Sequence, residues 1–437
     1  MKITFYATGV AMLLLGTATA SAQSAVGSTH SAPGPVATLT LAQAMRSALE
    51  NNIGLKVARR EIDAQSGALL QAGARPNPEL SVLQEDFRST ARTTTAQLTQ
   101  PIELGGQRKW RVEAGSAAQR AAEWDAQASE AAVRSEVVAR YFETLASAEL
   151  VDLATQTSSI AQETHAAVQR RVKAGKVSPV DEGRAQIAAN NARIELASAN
   201  AAQDRARARL AQVLSVGEAQ LPGTLSGSLD TLPSLPEWSR LAAALDITPA
   251  VRSASEEIQR RDALAKLESA QRIPDLNVTF GLKRVSDGAR TDNQAVVGLS
   301  IPLPIFDTRR GATLEAAQRA DIARDAYLGV RQQQQATLTS AYAEFTAASE
   351  ATRRLRDDIL PQAQSAYDAT RRGFLLGKFG FLDVLDAQRT LAQARSQYIT
   401  SVASAYSAYA TVGLAVGGNV DGVSLLAPEL LTQSQIQ

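Results

Sequence analysis

The sequence predicts a mainly α-helical chain with a small amphipathic β part, and the whole plan is laid down twice. Three observations predict it. Two runs rich in Ala, Glu, Gln, Arg and Leu are far longer than ordinary helices, each is preceded by a pair of short alternating segments, and ordered matches link the two halves about 200 residues apart.

The first element is an export signal over residues 1–22. Lys2 precedes an apolar stretch from Val10 to Gly16, followed by Ala20-Ser21-Ala22, a cleavage signal that would leave Gln23 as the new N-terminus. The apolar stretch is too short to span a bilayer as a helix, which needs about 20 residues. Residues 23–40 are small, polar and Pro/Gly-containing, and read as a flexible lead-in. The sequence holds no Cys, so no acylation site follows the signal and no N-terminal lipid anchor is expected.

Helical pattern begins at Leu41 and runs to about Ala74, where Arg75-Pro76-Asn77-Pro78 stops it. Glu79–Phe87 and Thr94–Leu104 follow as strand candidates. From Gln107 to about Arg171 there is no Pro, and a continuous helix there would be roughly 95 Å long at about 1.5 Å per residue. A turn at Ala174-Gly175-Lys176 leads into a second run, Val180–Leu214. Residues 41–215 thus make a first repeat, and a Gly/Pro/Ser-rich linker occupies 216–240.

The plan then recurs over 241–415, before a tail at 416–437. A helix from about Ala250 to Gln271 ends at Arg272-Ile273-Pro274, and strand candidates lie at Asp275–Arg284 and Gln294–Leu303. A long helix from Arg309 to about Arg372, kinked at Pro361, reaches the turn Leu376-Gly377-Lys378, and a last helix runs to about Ala410. Pro78-Glu79-Leu80 matches Pro274-Asp275-Leu276, Gln100-Pro101-Ile102 matches Ile301-Pro302-Leu303, and Gly175-Lys176 with Asp181 matches Gly377-Lys378 with Asp383.

The strand candidates alternate. Leu276, Val278, Phe280 and Leu282 interleave with Asn277, Thr279, Gly281 and Lys283. One apolar and one hydrophilic face suit a barrel wall with lipid outside and water within, and a half-buried soluble sheet has the same period. Four strands cannot close a barrel, for which about eight are needed, so copies of the chain must share the wall; three copies would give 12 strands.

Chemistry is poorly supplied. Without the signal peptide, basic and acidic residues balance at 44 each, so nucleic acid is not an expected partner. His30 and His165 stand far apart, no Gly-rich phosphate loop or G-x-S-x-G elbow occurs, and no cofactor or catalytic site is expected.

With these features the sequence resembles the TolC-like outer-membrane factor family over essentially the whole mature chain. Two local motifs carry the resemblance: Gln100-Pro101-Ile102-Glu103-Leu104-Gly105-Gly106-Gln107-Arg108, and Gly377-Lys378-Phe379-Gly380-Phe381-Leu382-Asp383-Val384-Leu385-Asp386-Ala387. The fold implied is a trimeric β-barrel of 12 strands on a tunnel of 12 helices, in the outer membrane and reaching into the periplasm. The partners implied are a periplasmic adaptor and an inner-membrane RND pump. Asn77-Pro78-Glu79-Leu80 with Pro101–Arg108 resembles the heavy-metal, Czc/Cus-type branch. Multidrug efflux and type I protein secretion use the same architecture, and a soluble periplasmic coiled-coil scaffold would share the helices without the amphipathic strands.

The resemblance also implies site residues. Asp383 and Asp386 share a helix face, and three copies would ring the periplasmic mouth with six carboxylates. Phe374 and Phe379 stand where relatives place an aromatic and a basic gate residue, so a hydrophobic constriction is expected beside the acids, with Arg371 or Arg372 as a partner for Asp383. The tips at Gly175-Lys176 and Gly377-Lys378 are the expected docking points of the adaptor.

Overall fold

The computed structural model describes residues 38–88, 91–288, 290–420, 423–428 and 431. The export signal, nearly all of the expected flexible lead-in and part of the C-terminal tail lie outside them.

The first repeat begins with α1 (Leu41–Asn51) and α2 (Ile53–Ala72). One helix was expected here, but Asn52 divides it. Its side chain accepts the Leu55 N–H at 3.2 Å while its amide donates to the Val213 carbonyl at 3.3 Å. An Asn so placed caps a new helix in preference to continuing the old one. Strands β1 (Glu79–Arg88) and β2 (Ala91–Ile102) follow, then α3 (Gln107–Lys173) and α4 (Pro179–Leu214). At 67 residues α3 is about 100 Å long.

The second repeat, entered through the short α5 (Trp238–Ala244), has α6 (Pro249–Ala270), β3 (Leu276–Asp287), β4 (Arg290–Ser300), α7 (Arg310–Arg354), α8 (Leu360–Leu375) and α9 (Phe381–Ala415). Where α3 is unbroken, α7 and α8 are separated by a π-helical turn over Leu355–Ile359. The break therefore lies upstream of Pro361, whose ring and missing N–H disturb the preceding turn.

The four strands form one antiparallel sheet in the order β1-β2-β3-β4. Two strands sit earlier than expected. β2 starts at Ala91 and ends at Ile102, because Glu103 leaves the ladder to pair with Arg111 and Gly105 lies so close to the Ala270 carbonyl that a Cβ would be 2.1 Å from its oxygen. β4 runs from Arg290 and ends at Ser300, before two prolines that have no N–H to give.

The structure also corrects the expected match of Pro101 with Pro302. The helices after β2 and β4 both start from left-handed residues, Gly106 (φ 75°) and Arg309 (φ 54°), which are 203 apart. Steps of 196 from β1 to β3 and 203 from β2 to β4 carry the observed pair Glu79–Thr99 onto Asp275–Pro302, in register with the observed Asn277–Ser300 ladder. Pro101 therefore corresponds to Pro304.

Helices stack end to end. The Asn52–Val213 contact seats α2 on α4 alongside α3. In the second repeat Gly417, just after α9, meets the start of α6, where a Cβ would lie 2.4 Å from Pro249 Cδ. The main core is a waist at these joints. Phe142 stacks on Tyr406 at 3.5 Å between ring centroids, among Val137, Leu210, Leu214, Leu338 and Val402. Three tyrosines there fasten the segments that wrap the waist. Tyr141 donates to the Leu39 carbonyl at 2.8 Å and also contacts that of Ser226, Tyr406 donates to Thr231 at 2.8 Å, and Tyr409 to Leu425 at 2.9 Å. Burial pushes each of these phenols up to about 12.

Candidate functional site: a membrane-facing sheet and two helical tips

The sheet register gathers the apolar side chains on one face. Leu80, Leu98, Phe280 and Val297 lie directly opposite one another in a row across all four strands, and Val82, Ala96, Leu282 and Ala295 form the next. Leu80 is 70% exposed, Phe280 58% and Val297 70%, so none of the described residues covers this face. The other face carries Ser81, Gln97, Thr95, Lys283 and Gln294, with Thr99 and Thr279 linked through their hydroxyls at 3.0 Å; Leu83, Val285 and Val296 are apolar exceptions. A contiguous exposed apolar band on a pleated sheet belongs against lipid. Among the described residues no helix is long and apolar enough to cross a membrane.

At the far end lie two helix-to-helix turns built alike. In the first, the Lys176 N–H donates to the Arg171 carbonyl at 2.9 Å and the Gly175 N–H to Val172 at 2.8 Å. In the second, Lys378 donates to Gly373 at 2.8 Å and Gly377 to Phe374 at 3.0 Å. Both are Schellman closures, and each needs the left-handed residue that Gly175 (φ 68°) and Gly377 (φ 74°) supply. Lys176 and Lys378 are exposed beyond them. Ser178 caps α4 by accepting the Val180 N–H at 3.2 Å.

The remaining expected site residues take distinct places. The Asp383 carboxylate accepts the Gly380 N–H at 2.8 Å, so it caps α9 from its third position. Its first-repeat counterpart Asp181 occupies the third position of α4, 3.8 Å from Arg184. Asp386 is exposed and makes no hydrogen bond or ion pair among the described residues. Phe374 is turned inward: it packs 6.4 Å from Phe381, and Arg171 of the first tip lies 4.9 Å above its ring. Phe379 is half exposed and packs against Gly373, where a Cβ would be 2.1 Å from its ring. Neither Arg371 nor Arg372 pairs with Asp383 within the chain; both are exposed. Sequence reading missed Arg171 and Gly373, because an aromatic-cation contact between two hairpins and a ring lying on a glycine need the tertiary structure.

A sheet with one lipid-compatible face, set on helices about 100 Å long that end in paired turns, defines the protomer of an outer-membrane channel with a helical extension. The chain belongs to the outer membrane efflux protein family, whose profile matches residues 44–216 and 241–418. It is a passive channel component and not an enzyme. It is 38% identical to the cobalt-zinc-cadmium resistance protein CzcC of Cupriavidus metallidurans, covering 95% of this chain and all of that one. To the nickel-cobalt-cadmium resistance protein NccC of Alcaligenes xylosoxydans xylosoxydans it is 28% identical, over 78% of this chain and 75% of the relative. A solved structure of CusC superposes with a TM-score of 0.73 at 17% identity, over 87% of this chain and 92% of CusC.

Proposed function

We propose that three copies of this chain close a 12-stranded outer-membrane barrel over a 12-helix periplasmic tunnel, and that the duct passes heavy-metal cations delivered by an inner-membrane RND pump through a periplasmic adaptor. The observation that carries the assembly is the sheet: four strands with an exposed apolar band and two outer strands, β1 and β4, each paired on one side only among the described residues. The metal cargo rests on the resistance proteins to which the chain is similar, at 38% and 28% identity. Residues 1–22 serve as the cleaved export signal.

At the periplasmic mouth Asp383 and Asp386 form the negative ring, narrowed by Phe379, while the tips at Gly175-Lys176 and Gly377-Lys378 receive the adaptor. The arrangement of Asp386, exposed and unpaired one turn above the Asp383 cap, supports this reading. The test is complementation. In a host lacking its own copy, the gene should restore tolerance to cobalt, zinc or cadmium and leave tolerance to dyes and detergents unchanged. Restored drug tolerance without metal tolerance would overturn the cargo.

A further inference from the structure

The two repeats differ at the end of their second strands, and the difference shows how copies join. β2 continues past the start of β1: Gln100, Pro101 and Ile102 face Val278, Asn277 and Leu276 of β3, beyond the last β1 pair at Glu79–Thr99. β4 stops at Ser300, opposite Asn277. Yet the residues that correspond to Gln100–Ile102 are Leu303, Pro304 and Ile305. They are apolar or proline, and Leu303 and Ile305 are 75% and 70% exposed. The missing element is not sequence but a strand to pair with. In the first repeat that strand is β3, and the repeat counterpart of β3 is β1.

We infer that Ile301–Ile305 extends β4 and zips antiparallel onto β1 of a neighbouring copy, in the register set by the β2–β3 junction inside each chain. The inference rests on the proposed shared barrel and adds the register of its joint. Steps of 203 and 196 carry Ile102–Leu276 onto Ile305–Leu80, Gln100–Val278 onto Leu303–Val82, and Leu98–Phe280 onto Ile301–Gln84. Leu80 and Val82 are 70% and 67% exposed in the single chain. In this register both meet apolar partners on the lipid face.

The prolines agree with it. In an antiparallel ladder successive residues turn their N–H groups to alternate neighbours. Pro101, opposite Asn277, is tolerated because its absent N–H points to the other side, where β1 has already ended at Glu79. Pro302 and Pro304 share that parity, and their absent N–H groups point toward β3 where β3 has not yet begun. Leu303 and Ile305 then turn their N–H groups to the neighbour. In the single chain the Ile305 N–H is instead held by the Leu303 carbonyl at 2.9 Å, a three-residue turn that opens when the neighbour's strand arrives.

The chain has no native Cys, so paired cysteines report the register directly. Directly opposed residues in such a ladder have Cα atoms about 4.5–5.5 Å apart, within disulfide reach, whereas diagonal pairs are about 7–8 Å apart. In detergent-extracted full-length protein, Ile305→Cys with Leu80→Cys, and Leu303→Cys with Val82→Cys, should oxidise to covalent dimers and trimers. The slipped pair Leu303→Cys with Leu80→Cys should give at least tenfold less. Faster oxidation of the slipped pair, or no cross-link in protein that native mass spectrometry shows to be trimeric, overturns the register and leaves the barrel standing. A monomer by native mass overturns the barrel and the joint together. A second variant guards against misfolding. Ile305→Pro should lower the temperature at which trimers dissociate, because its N–H serves the neighbour, and Pro304→Ala should not; equal effects would refute the assigned parity.

Discussion

The two repeats share one plan and are used differently. The first has an unbroken 67-residue helix, a second strand fully paired to Ile102, and glycines at the strand-to-helix switch. The second has its long helix interrupted at Leu355–Ile359, a second strand that stops early, and Thr308-Arg309 where the first has Gly105-Gly106. Duplicated topology therefore fixes where elements go but leaves local backbone demands to each copy. The second strand of the first repeat is paired on both sides by its own chain, whereas that of the second repeat lies at an edge of the sheet.

The largest effect expected from this comparison comes from exchanging the switch residues. A Cβ at Gly105 would sit 2.1 Å from the backbone oxygen of Ala270, an obstacle that cannot rotate away. Gly105→Thr should destabilise the protein by more than about 4 kcal/mol, read as loss of folded protein from the membrane fraction. Thr308→Gly, the reciprocal change, should cost no more than about 1 kcal/mol. Comparable losses from both would show that the two switches have the same backbone requirement.

The waist is where the repeats meet, and its tyrosines sharpen the comparison at the next level. Tyr141 of α3 ties down the leading segment and the linker, whereas Tyr406 and Tyr409 of α9 tie the linker and the C-terminal segment. Tyr409→Phe leaves the Leu425 carbonyl unpaired in the core and should cost about 1–3 kcal/mol by thermal or denaturant unfolding. The same residues set an alkaline limit. Burial holds the folded phenols up at about 12 against an ordinary value of 10.0, so their contribution is complete below pH 10 and lost as pH rises through 12. Tyr409→Phe should shift the midpoint of alkaline unfolding upward relative to its stability at neutral pH; an unchanged alkaline profile would contradict buried phenols.

Much of this was legible beforehand, for identifiable reasons. Long helices without Pro, strands of period two and left-handed glycines at tips are local signals, and Gly175 and Gly377 stand where they were expected. What escaped depended on distant partners. Asn52 splits a helix by bonding to Val213, 161 residues away. β4 ends early for want of a strand beside Leu303. The Pro101–Pro302 match was attractive by sequence but misaligned by two residues, and only the ladder register and the left-handed helix starts reveal Pro304 as the counterpart. At the tip, the role of Asp383 as a cap is local, three residues from Gly380, whereas the inward turn of Phe374 depends on Phe381 and on Arg171 of the other hairpin.

The smallest expected effect on stability, and the most informative on function, concerns those carboxylates. The first tip has one acid at the third helical position, Asp181, and no acid at the place corresponding to Asp386, which is Arg184. The second tip keeps the capping acid and adds Asp386, which does nothing for its own helix that the structure displays. Asp383→Ala should therefore lower stability by about 0.5–2 kcal/mol through the lost cap, with Asp383→Asn recovering most of it. Asp386→Ala should change stability by no more than about 0.5 kcal/mol. If three copies of Asp386 line the mouth, their removal takes three negative charges from one narrow ring, so block by multivalent cations in planar bilayers should weaken while trimers remain intact. Comparing Asp386→Ala with Asp383→Asn separates charge from capping, since both remove a charge and neither abolishes the α9 start. Unaltered conductance and block in both variants would make the two acids ordinary surface residues and would leave Phe379 and the tip backbones as what narrows the mouth.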